Sequence, residues 1–166
     1  MKRITAHNWL EADLIDDTPP AWRDVFLAIR LDDRVPAEIA AMFETARGSV
    51  IYGGFFAPLV VLGVEHCYRV LEAGARARCV QQGLPVSFRD KEGKEHPLSF
   101  SHNLRQLTER GSIAEVDLEL WKQAGELRAW AALPKHGSLI GAEHASTALS
   151  NAAMLLNKLF ALSRLD

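Results

Sequence analysis

The C-terminal segment leaves this chain little freedom of fold. Ala145, Ala148, Leu149, Ala152, Leu155, Leu156, Leu159 and Phe160 stand in i, i+3, i+4, i+7 relations across 141–164. Successive residues on an α-helix advance by about 100°, so this spacing lines one face with apolar side chains. Such a face must be covered by other packed elements.

The partners are legible upstream. Residues 22–31 (WRDVFLAIRL) read as a short amphipathic helix with Val25, Phe26 and Ile29 on one face. Pro36 opens a long helical region, a position proline tolerates, and Ile39, Met42, Phe43 and Ala46 follow at helical spacing. Gly48-Ser49 is expected to break or bend that helix. A second segment runs to about Gln82, with Gly83 as its stop and Pro58 as a kink or a start. Ser101 is expected to cap a short helix over 102–110, ended by Gly111. The next helix begins at Ser112 or Ile113 and runs to about Leu133, where Pro134 stops it. It is expected to bury Ile113, Val116, Leu120, Trp121, Ala124, Leu127 and Ala131.

Two stretches depart from this pattern. Residues 1–20 read as an irregular arm ending in Pro19-Pro20. Residues 84–99 (LPVSFRDKEGKEHPLS) carry Val86, Phe88 and Glu92-Gly93 among many charges, which suggests an exposed loop or small hairpin. The predicted fold class is therefore all-α: an antiparallel bundle of four to five helices in a single domain over 1–166, with a small excursion near 84–99.

With 166 residues, 48% of them hydrophobic, the chain can bury a sizeable core. Its net charge of −2 supplies no global basic field, so any RNA contact needs a local patch, for which Arg69, Arg76, Arg78, Arg105 and Arg110 are candidates. The 17 residues from Gly48 to Val64 carry no charge, at the lower limit for spanning a bilayer. Their Gly and Pro content and close charged flanks favour a buried central helix, and no membrane role is expected. Met1-Lys2-Arg3 leads into acidic residues rather than an apolar signal-peptide core. Cys67 and Cys79 lie 12 residues apart in one helical run, about 18 Å along the axis. That separation forbids a disulfide between them and predicts free thiols in a reducing cytoplasm.

Arg128 lies four residues after Ala124 and seven after Trp121, on or beside an apolar stripe. A guanidinium there needs a carboxylate or a phosphate. It either forms a structural ion pair with Glu65 or Glu72, or contacts an anion. Glu65, Arg69, Glu72 and Arg76 are spaced for an ion-paired ladder on one helix face. His136 follows Pro134; an Arg and a His at one helix end can act together on a phosphodiester, the His moving a proton and the Arg stabilising phosphate charge. His66, His96, His102 and His144 make no recognisable site. No spacing of the HxxxH or CxxC kind predicts a metal, and Gly53-Gly54 follows no strand, so neither metal nor cofactor is expected.

Taken in order, the strings at 51–79, 100–113 and 120–138 resemble the HEPN superfamily, small helical bundles that are often dimeric and include many ribonucleases of toxin–antitoxin and phage-defence systems. The likeness covers about 36–162. The family signature is an Arg, usually a polar residue next, and a His four to six residues further on. Here the string is LRAWAALPKH over 127–136. Arg128 matches the Arg, Ala129 replaces the polar residue, and alignment of Pro134 puts Leu133 at the His position. His136 stands outside the usual spacing. The resemblance implies a homodimer and a function related to RNA or to a toxin–antitoxin system. With Leu133 unable to move a proton, it implies a non-catalytic binding or regulatory domain with an RNA or protein partner. The alternatives are a metal-independent endoribonuclease using Arg128 and His136, supported by Glu65 or Glu72, and a structural dimerisation module.

Overall fold

The computed structural model describes residues 5–11, 19–131 and 141–161, with the side chains of 11 and 125–131 outside that description. Among the described residues, six α-helices follow a 3-10 turn at Trp9–Glu11: α1 Pro20–Leu27, α2 Ala37–Tyr52, α3 Pro58–Gln81, α4 Phe100–Glu109, α5 Glu115–Ala131 and α6 Ala142–Ala161. Between α3 and α4, strands β1 (Ser87–Arg89) and β2 (Glu95–Pro97) form an antiparallel hairpin that pairs Phe88 with His96. The protein is thus mostly helical, with a two-stranded excursion inside 84–99. No helix among the described residues is long and apolar enough to cross a membrane.

Helix ends follow local chemistry. Pro20 and Pro58 sit in the first turns of α1 and α3, where the missing N–H is not needed. Pro58 therefore starts a helix instead of kinking one. Gly83 and Gly111 take φ of +67° and +71° just beyond α3 and α4, a region open to glycine at little cost. The cap of α4 is Ser99, whose Oγ accepts from His102 N at 3.3 Å, and not the expected Ser101. Ser101 is already inside the helix and shares a 3.0 Å hydroxyl contact with Ser99.

The core is continuous from Phe26 and Phe43 through Leu71 and Trp121 to Leu155 and Phe160. α3 lies at its centre, against α2, α4, α5 and α6. The stripe of α6 is buried along its length, with Ala148 partly covered. Glycines set the closest approaches. A β-carbon at Gly63 would lie 2.6 Å from Val50 Cγ2 and 2.8 Å from the Ala46 carbonyl oxygen.

Three expectations on faces are corrected. Gly48 does not break α2; it is buried within the helix, and its missing side chain admits the ring of Trp9. Val25 is exposed although Phe26 beside it is buried, because α1 meets the core through Trp22, Phe26 and Leu27 and Val25 lies about 100° round the helix from Phe26. Val116 is 85% exposed because it precedes the buried Trp121 by five residues, which puts it about 140° round α5 from that side chain.

Candidate functional site

Glu65 and Glu72 both lie on α3 and are partly buried. The side chain of Arg128, on α5, and the whole of Leu133, Pro134 and His136 fall outside the described residues. Glu65, Arg69, Glu72 and Arg76 all stand on α3, with Arg69 exposed and the other three partly buried. Burial, with Arg69 nearby, holds His66 below the ordinary imidazole range.

The basic candidates separate. Arg69, Arg105 and Arg110 are exposed and Arg76 is half-buried. Arg78 is buried and reaches Gln81 Oε1 at 3.3 Å, so its charge is not offered to an open surface. Arg105 approaches His102 Nδ1 at 3.2 Å and Glu109 at 3.9 Å.

Other polar groups are engaged in structural contacts. Arg34 clasps Asp32 with two bonds of 2.8 and 2.7 Å, which holds that carboxyl far below its usual range. In the hairpin, Asp90 Oδ2 lies 2.6 Å from His96 Nε2, while Oδ1 accepts from the backbone N–H groups of Glu92 and Lys94. Cys67 and Cys79 are free and buried. Burial pushes the Cys67 thiol up to about 12 and raises that of Cys79. Neither is an activated nucleophile.

Two of the clefts lined by described residues bear on the site. One, of about 260 Å³, lies between α5 and α6 and is walled by Ile113, Trp121, Leu155 and Leu159, with Lys158 bonded to both oxygens of Asp117 at 2.7 and 3.0 Å. Its Ser112 accepts from Gln82 Nε2 at 2.5 Å. The other, about 410 Å³, is an open hollow bordered by Arg30, Asp32, Asp33 and Glu44. Among the described residues, no three His, Cys, Asp or Glu side chains are grouped to hold a metal ion.

Spacing along the sequence gives no sign of the polar arrangement around Trp9. Glu44 Oε2 accepts from Trp9 Nε1 at 3.1 Å and from Arg47 Nε and Nη2 at 3.1 and 2.6 Å. Arg47 Nη1 also donates to the Ile29 carbonyl at 2.8 Å. A tryptophan isolated in a polar arm was the available signal. In comparisons with known proteins, no family model matches the chain, and no curated protein and no solved structure matches it.

Proposed function

We propose that the chain is a HEPN-like antiparallel bundle that works as a non-catalytic binding or regulatory domain, as a homodimer, on RNA or on a protein of a toxin–antitoxin type system. The observation that carries this reading is Leu133 at the position where the resemblance expects a histidine. A leucine cannot transfer a proton, and a phosphodiester cleaved without metal needs a general base and acid. The exposed Arg69, Arg105 and Arg110 are the side chains available for phosphate contact.

The test is incubation of purified protein with mixed RNA in EDTA, beside Arg128→Ala and His136→Ala. The expected result is no cleavage above the variants, with retention of RNA or a protein partner that weakens in Arg105→Ala or Arg110→Ala. Metal-independent cleavage lost in both Arg128→Ala and His136→Ala would establish an endoribonuclease instead. No cleavage and no retained partner, with a stable dimer, would leave the dimerisation module.

A further inference from the structure

The residues that hold Trp9 contact its indole N–H, its ring and its backbone carbonyl. Glu44, Gly48 and Tyr52 stand four residues apart on one face of α2, with Arg47 beside them. Glu44 accepts the indole N–H at 3.1 Å, which selects tryptophan over phenylalanine. Gly48 supplies a flat floor: a β-carbon there would lie 3.3 to 3.6 Å from three ring atoms. The Arg47 guanidinium stands 5.5 Å from the ring centroid, within cation–π range. Tyr52 donates its hydroxyl to the Trp9 carbonyl at 3.2 Å and meets the ring edge-on.

What enters this socket is a small self-closed turn. Asn8 Oδ1 accepts from Thr5 N at 2.7 Å and Thr5 Oγ1 at 3.0 Å, and Asn8 N donates back to the Thr5 carbonyl at 3.2 Å. Within 5–10, Trp9 alone is buried; Thr5, His7 and Leu10 face solvent. One aromatic anchor on a preorganised turn, seated in a fitted pocket, is how short peptides dock on folded domains. Trp9 is the one residue of 5–10 that joins the core cluster, whose members Ile39, Phe43, Ala46 and Val50 are themselves buried between the helices.

We infer that the Glu44–Arg47–Gly48–Tyr52 socket is a docking site for a tryptophan-bearing peptide, filled in cis by the 5–11 turn, which detaches while the helices stay folded. The inference stands apart from the reading of the preceding subsection and needs neither RNA nor Arg128.

The experiment uses full-length chains and a fluorescent peptide of residues 5–11. The Trp9→Ala chain, whose socket is vacant, binds the peptide. Wild type binds it at least ~10-fold more weakly, because its own turn competes at high effective concentration. Gly48→Val added to Trp9→Ala abolishes binding by filling the floor, and phenylalanine in place of tryptophan in the peptide costs about 10-fold through the lost charge-assisted bond. Equal binding by wild type and Trp9→Ala, or none by a Trp9→Ala chain of native helicity, overturns the inference. Should Trp9→Ala fail to fold, indole hydrogen exchange in wild type decides. Trp9 is expected to exchange at least ~100-fold faster than Trp22, whose Nε1 donates to the Val50 and Ile51 carbonyls; equal rates would mean that the turn leaves only when the protein unfolds.

Discussion

Gly63 of α3 lies against Val50 of α2 so closely that a β-carbon at 63 would meet Val50 Cγ2 at 2.6 Å and Val50 N at 3.1 Å. Because backbone as well as side chain is in the way, the helices themselves must part to admit an alanine. At Gly74 the conflict is with one atom, Leu156 Cδ2 at 2.3 Å, the end of a side chain with rotamer freedom. Alanine gains about 1 kcal/mol of helix propensity at either site, against an overpacking cost of about 1–3 kcal/mol or more. Gly63→Ala is expected to lose about 2 kcal/mol net and Gly74→Ala less than about 1 kcal/mol, read from urea midpoints. A Gly74→Ala chain less stable than Gly63→Ala would contradict this ranking.

Glu44 and Trp9 are expected to be energetically coupled. The carboxylate serves both the indole and the buried Arg47, and removing one member of a buried ion pair strands the other. Glu44→Ala is expected to cost about 2–3 kcal/mol. In a double-mutant cycle with Trp9→Phe the two losses fall short of additivity by about 1 kcal/mol. Simple additivity would show that the 3.1 Å contact carries no energy.

The hairpin is expected to loosen in acid. The bond to His96 and the backbone donors of Lys94 and Glu92 hold the Asp90 carboxyl below its ordinary range. A group whose folded value is depressed contributes stability above its unfolded value and loses it as pH falls through the folded one. Amide protection at Glu92 and Lys94 should therefore persist at pH 5 and fall away below pH ~4. Asp90→Asn should remove the pH dependence.

Cys67 is expected to resist alkylation in the native protein. With its thiol near 12 and no exposed surface, labelling at pH 8 requires opening of the structure. Its labelling rate should track denaturant through the unfolding transition, and rapid labelling in buffer would sink the assignment.

The sequence made the mostly helical character and several helix ends legible, since period and punctuation act locally, but it misplaced the break at Gly48-Ser49 and the start of α5. The α6 stripe, Pro58 at the head of α3, and the glycines after α3 and α4 are set within a few residues of chain. It also supplied the candidate residues Arg128, His136, Glu65 and Glu72, though spacing along a chain carries no information on whether an arginine and a histidine converge. Tertiary structure alone decided the rest. Ser99 and Ser101 are equally good caps in composition, and only the backbone path selects Ser99. Arg78 and Arg69 lie on the same helix, yet packing buries the first and leaves the second in solvent. Gly48 has the composition of a helix break, but Trp9, 39 residues away, turns it into a contact surface inside an unbroken helix. Periodicity specifies which way a residue faces along its own element. What it meets there depends on how elements far apart in sequence pack, because burial and close contact are properties of the assembled interior.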